Sequence, residues 1–239
     1  PRVVIQQPSA AVRSVLTVLS GTAADAAGVG GVQVALQDAP PGGVWFDGAG
    51  FTSGIPVWLA ASGTAAWTFS GVPAWVDGTS YRVVARSTDS LGNFSVANAT
   101  SDFTFDASTP TAAVTVPTSG ATLAVLPSLS GTASDPGAGA SGLSLIEVRV
   151  QRASDGLYWN WSADAWGAPA VATTPVTASP WTLGVPAGLR ANLAHGASYF
   201  VSARGVDNAT PPNAGSLAVG STFTWTDTTA PAAVTDLTA

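Results

Sequence analysis

The sequence predicts an all-β protein made of two tandem β-sandwiches. The heptapeptide Leu-Ser-Gly-Thr-Ala-Ala-Asp at residues 19–25 recurs with one change at residues 129–135, so one unit of about 110 residues is used twice. Apolar and polar residues alternate at period two, for example at 148–151, as they do in half-buried strands. The 26 glycines and 17 prolines recur too often for long helices and favour short strands and tight turns.

The repeat continues along both copies and defines the predicted domains. The matched blocks are 32–37 with 146–151, 67–69 with 181–183, 78–83 with 196–201, 85–89 with 203–207 and 103–106 with 223–227. Each copy opens at a proline and closes with Asp-x-x-x-Pro, which gives domains 1–109 and 110–230. Residues 231–239 are then the first strand or linker of a following domain, and the chain is expected to be a window on a longer protein.

Each domain is predicted to contain about seven short strands, as a β-sandwich requires. In the first domain they lie near 2–7, 14–23, 31–37, 43–47, 65–70, 79–88 and 94–106. In the second they lie near 111–117, 122–133, 144–152, 156–161, 179–185, 197–206 and 216–226. No helix is predicted, because helical start and stop signals are missing.

Two local motifs lead from this architecture to a family. Leu193, Gly196 and Tyr199 form the pattern Leu-x-x-Gly-x-x-Tyr, and residues 75–81 repeat it with Trp75 in the first place, which is typical of a tyrosine corner. With Ser-Gly-Thr-Ala-x-x-Asp, Ala-Arg-x-x-Asp and Leu-Gly-Asn at 91–93, each domain resembles the bacterial immunoglobulin-like repeats of large surface and adhesion proteins. The resemblance implies an extracellular or cell-surface location.

The second domain departs from the repeat at residues 207–213, where a longer loop lacks the Gly-Asn turn. Residues 231–239 resemble the opening strand of a fibronectin type III domain.

Composition excludes several classes of function. Charged residues make up 9% of the chain, against roughly a quarter in ordinary domains, and eight Lys plus Arg at a net charge of −6 provide no basic stripe for nucleic acid. No apolar run approaches the roughly 20 residues of a membrane helix. Without cysteine, disulfides and thiol chemistry are excluded. Low charge predicts a surface that packs against copies of this chain or other surface proteins.

No catalytic constellation is predicted. His195 is the only histidine, and its equivalent in the first copy is Asp77, so a polar turn residue explains both positions better than a catalytic triad. We therefore expect no enzymatic activity from this segment and no organic cofactor.

Three aspartates are the candidate metal ligands. In a sandwich of this topology the B–C and F–G loops lie at the end where the chain enters, so Asp135 and Asp207 should meet Asp106 of the incoming linker at the domain junction. Oxygen ligands of this kind suit Ca²⁺, which would stiffen the angle between the domains. The alternative is that each aspartate caps a turn, since three carboxylates alone fall short of the roughly six to eight oxygens that Ca²⁺ takes.

Two tryptophans are candidate contact residues. Trp67 and Trp181 recur at strand E and are interpreted as core. Trp159 and Trp161 lie in a hairpin-like stretch with aromatic residues on both faces, one of which must face outward. The hypothesis is a contact with another subunit; stacking on a sugar and packing within the domain are the alternatives.

Four asparagines lie in Asn-x-Ser/Thr sequons, more than chance suggests, and are candidate glycosylation sites of an exported protein: Asn93, Asn98, Asn160 and Asn208.

These features together predict a non-catalytic structural segment of a large extracellular protein that self-assembles as a filament, surface layer or stalk. The alternative is an adhesin, or a carbohydrate-binding module accessory to an enzyme elsewhere in the chain.

Overall fold

The computed structural model describes residues 1–168, 174–176 and 178–228 and divides the chain into two compact units. The first comprises residues 1–109 together with 135–142 and 207–213; the second contains the other described residues. The predicted boundaries at 109 and 230 remain a prediction about independent domains. The tail at 231–239, with its predicted fibronectin-like strand, lies outside the described residues. No described helix is long and apolar enough to cross a membrane.

The first unit is a sandwich of two β-sheets. Its strands are β1 (Arg2–Gln7), β2 (Val12–Arg13), β3 (Leu19–Ala24), β4 (Val29–Asp38), β5 (Trp45–Phe46), β6 (Phe51–Ser53), β7 (Leu59–Ala60), β8 (Ser62–Gly63), β9 (Ala66–Phe69), β10 (Ser80–Asp89) and β11 (Ala99–Phe105). One sheet has the order β1-β3-β9-β8 and the other β2-β11-β10-β4-β5-β6, with β7 beside β4. These are the A-B-E-D and A′-G-F-C orders of an immunoglobulin-like sandwich.

The second unit repeats this topology. Its strands are β12 (Thr111–Val116), β13 (Ala121–Leu123), β14 (Ser128–Ser134), β15 (Leu143–Arg152), β16 (Tyr158–Asn160), β17 (Ala165–Gly167), β18 (Thr174–Val176), β19 (Trp181–Gly184), β20 (Ser198–Asp207) and β21 (Gly220–Trp225). The sheets have the orders β12-β14-β19 and β13-β21-β20-β15-β16-β17, with β18 beside β15. The predicted all-β class with two immunoglobulin-like sandwiches is therefore confirmed.

Each core is filled by the inward-facing residues of its two sheets. Trp67 and Trp181 on the E strands are each 1% exposed, which confirms their assignment to the core. Tyr81 stacks on Phe103 at a ring distance of 5.5 Å, and the equivalent pair in the second unit lies at 5.2 Å. The alternation seen in the sequence thus separates core residues from the polar outer faces.

The predicted tyrosine corners are present in both units. The Tyr81 hydroxyl accepts a hydrogen bond from the Val76 backbone N–H at 2.9 Å, and the Tyr199 hydroxyl accepts one from the Ala194 N–H at 2.8 Å. Each bond satisfies a backbone donor in the turn that leads into strand F.

The glycine of the repeated Ser-Gly-Thr motif lets the strands and a tryptophan pack closely. A Cβ at Gly131 would lie 1.9 Å from the Ala113 carbonyl oxygen and 2.7 Å from the Trp181 ring. Gly21 in the first unit has the same surroundings, with Val4 and Trp67 in these roles. The motif therefore recurs because the indole of strand E lies against the backbone of strand B in each unit. These strands are β9 and β3 in the first unit and β19 and β14 in the second.

The structure differs from the sequence-based expectation in its small elements. The predicted strand at 14–23 starts too early: β3 begins only at Leu19, because residues 14–18 carry the chain from β2, which ends at Arg13 in one sheet, to β3 in the other. Short strands such as β6 and β17 add to the predicted seven in each unit. A short helix, α1 (Ala187–Ala191), was not predicted, since five residues are too few to show a helical period.

We expect Gly131→Ala to destabilise the chain by at least about 2 kcal/mol, because the added methyl group meets a backbone carbonyl that cannot move without breaking the sheet. Chemical denaturation followed by tryptophan fluorescence measures this change. Gly184→Ala is the matched control, since a Cβ there meets no atom within 4 Å. Equal effects of the two substitutions would contradict the packing role of Gly131.

Candidate metal centre

Three chain segments bring the predicted aspartates together. Asp106 follows the last strand of the first sandwich, Asp135 follows β14, and Asp207 is the final residue of β20. All three belong to the first compact unit, because the loops at 135–142 and 207–213 are part of it. One carboxylate oxygen from each residue lies within 4.8 Å of the others. The convergence follows from the sandwich topology, which places strand ends and loops at the same edge.

The cluster is largely hidden from solvent. Asp106 is 0% and Asp207 1% exposed, while Asp135 is half-buried. None of the ion pairs between described residues includes any of the three aspartates. Carboxylates in such a place repel one another and lack the hydration that stabilises them at a surface.

Backbone amides hold the carboxylates of Asp106 and Asp135 in position, as they also hold that of Asp207. Asp106 accepts hydrogen bonds from the Ser108 N–H at 3.1 Å and the Ser141 N–H at 2.8 Å, one on each oxygen. Asp135 accepts one from the Gly142 N–H at 2.8 Å through Oδ2. The 135–142 loop is thereby tied to the linker that contains Asp106.

Asp207 organises the long loop that follows it. Its Oδ1 accepts hydrogen bonds from the backbone N–H groups of Ala209 and Asn213, and its Oδ2 accepts one from the Asn213 side chain at 2.8 Å. In the first repeat, Asp89 makes the same three bonds with Leu91 and Asn93. The second repeat therefore keeps the function of the missing Gly-Asn turn, with the asparagine displaced from four to six residues after the aspartate.

Electrostatics single out Asp135. Burial raises the pKa of its carboxyl group above the ordinary value of 3.8, and the nearby charges of Asp106, Asp207 and Asp77 raise it further. The hydrogen bond from the Gly142 N–H lowers this pKa, an effect smaller than that of burial but larger than that of any one of the three charges. A positive ion at the cluster would favour the ionised carboxylates and so lower the pKa of Asp135.

Two polar atoms beside the cluster have no hydrogen-bond partner among the described residues. They are Oδ1 of Asp135 and the hydroxyl oxygen of Ser141, both buried. Ser141 is adjacent because its backbone N–H already contacts Asp106. Buried polar atoms without a partner are costly in a protein interior, so these two oxygens are free to coordinate an ion or water.

Asp77 supports the cluster, and the sequence did not indicate this role. Its carboxylate accepts hydrogen bonds from the Ala107 N–H and the Ser108 hydroxyl, each at 2.8 Å, which fixes the linker after Asp106. The repeat equates Asp77 with His195, and His195 Nδ1 accepts a hydrogen bond from the Asp227 N–H at 3.1 Å. The shared role, capping the outgoing linker, was readable only from the structure.

The predicted contact role of Trp159 is wrong. Its side chain is 0% exposed and packs edge-on against Trp166 at a ring distance of 5.3 Å, so it belongs to the core. Period-two alternation shows that the two faces of β16 differ but does not say which one faces inward. Trp161 lies beyond the strand, is half-buried and packs against the same core. Its role as an interface or sugar contact stays a prediction.

The four sequons differ in the environment of their asparagine. The side-chain amide of Asn93 donates to Asp89, and that of Asn208 donates to the carbonyl groups of Ser141 and Gly142. Asn160 accepts three hydrogen bonds through Oδ1 from the turn that follows it. Asn98 is exposed on the approach to β11. All four remain predictions, and Asn98 offers the most accessible amide.

Comparison with known proteins provides likenesses to solved structures only. No protein-family model and no curated protein matches the chain. The fibronectin(III)-like modules of Clostridium thermocellum CbhA share 15% identity over 95% of this chain and 95% of theirs, at a TM-score of 0.49. A 1.5-MDa bacterial ice-binding adhesin shares 20% identity over 96% of this chain and 65% of its own, at 0.42. A Ca²⁺-stabilized adhesin of an Antarctic bacterium shares 18% identity over 95% of this chain and 48% of its own, at a TM-score of 0.37.

We expect Asp135→Asn to raise the melting temperature of the calcium-free protein at pH 7. Because its pKa is raised in the folded state, the stability linked to protonated Asp135 is present below about pH 3.8 and is lost as the pH rises through the folded value. The rise in melting temperature caused by Asp135→Asn should therefore disappear as the pH falls towards 3. Calorimetry in calcium-free buffer across this range measures it.

Asp102→Asn is the matched control for this experiment. The hydrogen bond from Arg82 lowers the pKa of Asp102, so its contribution is present above the ordinary value and lost in acid. Asp102→Asn should therefore lower the melting temperature at pH 7. A lower melting temperature for Asp135→Asn at pH 7 would refute the electrostatic account of the cluster.

Proposed function

We propose that the chain is a non-catalytic structural segment of a large extracellular repeat protein, and that Ca²⁺ bound by Asp106, Asp135 and Asp207 stabilises it. The observation that carries this proposal is the convergence of three carboxylates, two of them fully buried, without a cationic partner among the described residues. Such a group of charges is unfavourable alone and becomes favourable with a bound cation.

The donor set favours calcium over other metals. All three side chains offer carboxylate oxygens, and the free oxygens nearby belong to a carboxylate and a hydroxyl group. Zn²⁺ prefers nitrogen and sulfur ligands, and the sequence contains no cysteine. Ca²⁺ accepts about six to eight oxygens in flexible geometry, and backbone carbonyl groups and water would complete its shell.

Calcium would act as a cross-link between distant parts of the chain. Asp106 lies in the linker, whereas Asp135 follows β14 and Asp207 ends β20 in the second repeat. An ion held by all three restrains the linker and both loops together in the folded chain, and it has no comparable site in the unfolded chain. Binding therefore adds to stability by mass action.

The expected calcium affinity of this site supports an extracellular location. Calcium sites in extracellular modules bind with dissociation constants of about 0.1–1 mM, which is weaker than intracellular sensors. Three carboxylates with few other ligands match that weak class. Such a site would be loaded where calcium is present at millimolar concentration.

The outer face of the three-stranded sheet β12-β14-β19 supports self-assembly, because its exposed side chains carry no charge. In the second unit the exposed side chains of β12, β14 and β19 are all uncharged: Thr111, Ala113, Thr115, Val116, Thr132, Ser134 and Thr182. A face without charged side chains lacks the repulsion that keeps copies apart. A filament, surface layer or stalk would bury such faces against a neighbouring copy or another surface protein.

An adhesin or carbohydrate-binding role is the second candidate. It has less support, because Trp159 is buried and Trp161 packs against the core. Retention on an insoluble polysaccharide that is lost on Trp161→Ala would favour this candidate over a structural segment.

We expect 10 mM Ca²⁺ to raise the melting temperature by about 3–10 °C, as a site of millimolar to submillimolar affinity would. Chelation should reverse the shift. Asp135→Asn should remove most of it, because the variant loses one anionic ligand, although it is more stable than wild type without calcium. Asp102→Asn should keep the full shift, since Asp102 pairs with Arg82 elsewhere. An equal calcium response in both variants would refute the site.

We expect the purified chain in millimolar calcium to associate as its concentration rises, because its sheet faces carry few charges. Sedimentation velocity across a hundredfold range of concentration measures this. Thr132→Lys places a charge on the outer face of β14 and should weaken association; Thr79→Lys, in the turn before β10, is the control. A chain that stays monomeric throughout would exclude self-assembly.

A further inference from the structure

The long loop at 207–213 pairs with the edge of β2 through a single β-bridge within the first compact unit. Arg13 and Thr210 form a parallel β-bridge. The Thr210 N–H donates to the Val12 carbonyl oxygen at 3.2 Å, and the Ser14 N–H donates to the Thr210 carbonyl oxygen at 3.3 Å. The Ser14 hydroxyl also donates to the Pro211 carbonyl group. The Thr210–Pro211 segment thus occupies this edge of the sheet with one β-bridge.

The other edge of β2 pairs with β11, the last strand of the first unit. The N–H groups of Thr104 and Asp106 donate to the carbonyl groups of Ala11 and Arg13, at 2.8 and 2.9 Å. Alternate residues of a strand direct their backbone groups to opposite edges. The backbone N–H and C=O groups of Val12 and Ser14 therefore point away from β11, towards the segment around Thr210.

The second unit contains the same edge at β13. Thr122 pairs with Thr224 and Leu123 with Trp225, as Val12 and Arg13 pair with Thr104 and Phe105 in the first unit. The Thr226 N–H donates to the Leu123 carbonyl oxygen at 2.8 Å, which matches the bond between Asp106 and Arg13. Thr122 and Ala124 are thus the equivalents of Val12 and Ser14.

The outward backbone groups of this second edge are uncovered in the part of the chain that the structure describes. There, no strand lies beyond β13, and no hydrogen bond joins the Thr122 carbonyl oxygen or the Ala124 N–H to another segment. Thr122 is exposed. Uncovered strand edges are templates for pairing with another extended chain.

We propose that the edge formed by residues 122–124 is a docking site for a Thr-Pro peptide segment, like residues 209–212, carried by another immunoglobulin-like repeat. The peptide threonine would donate its N–H to Thr122 and accept from the Ala124 N–H, which are the bonds seen on β2. The proline that follows has no N–H and would end the pairing after one bridge.

The occupied edge on β2 determines the choice of occupant. It shows that a segment of this sequence fits an edge of this kind with two backbone hydrogen bonds. The chain's own segment is already used there, and its Ala209 is 3% exposed. A second copy would have to release that buried segment before offering it, so a different repeat with a free segment is the favoured partner. The proposal depends on neither calcium nor self-assembly.

The experiment uses the intact isotope-labelled chain in calcium-free buffer and a synthetic peptide with the sequence of residues 206–214. We expect saturable chemical-shift changes and slower hydrogen exchange at the Ala124 amide. A peptide N-methylated at its threonine lacks the donor and should bind at least tenfold more weakly. Equal binding of both peptides, or no change at Ala124 up to millimolar peptide, would overturn the proposal.

Two variants sharpen this test. Ala124→Ser restores the hydroxyl group that Ser14 supplies on β2, and it should tighten peptide binding about threefold to tenfold. Ala124→Pro removes the N–H donor and should abolish binding; a retained near-ultraviolet spectrum of the buried tryptophans shows that it is folded. Peptide-induced changes at Ser14 instead, or protection of Ala124 that rises with protein concentration before peptide is added, would each contradict the proposed occupant.

Discussion

The burial of three neighbouring carboxylates, those of Asp106, Asp135 and Asp207, is the constraint on which the candidate site depends. Their oxygens lie within 4.8 Å of one another, and the folded backbone holds them there through amide hydrogen bonds. A protein can retain such a cluster if a cation neutralises it or if a carboxyl group stays protonated. The pKa of Asp135 is raised accordingly, first by burial and then by the charges of Asp106, Asp207 and Asp77.

The loops around the cluster are held by a second set of polar contacts. Asp207 and Asn213 fix one loop, and the carboxylate of Asp77 fixes the linker. The Asn213 side chain also donates to the Asp106 carbonyl oxygen at 2.9 Å, so the F–G loop and the linker are joined without any ion. A cation would therefore stiffen a site that already exists rather than create it. This explains why a modest calcium effect on stability, rather than folding on binding, is expected.

Sequence reasoning was strongest where the repeat could be compared with itself. The equivalence of Tyr81 and Tyr199 predicted both corners, and the loop positions of the three aspartates predicted that they would be neighbours. It failed for Trp159, because alternation identifies two faces of a strand without saying which is buried. The pairing of Thr210 with β2 could not be predicted either, since it joins residues almost 200 positions apart through backbone atoms alone.

The measurement that tests the central claim most directly is a crystal structure of the chain grown with calcium, with anomalous diffraction used to locate the ion. The account predicts one calcium peak about 2.3–2.6 Å from oxygens of Asp106, Asp135 and Asp207. A structure at the same calcium concentration in which these carboxylates bond directly to one another through a shared proton, with no ion among them, would contradict it.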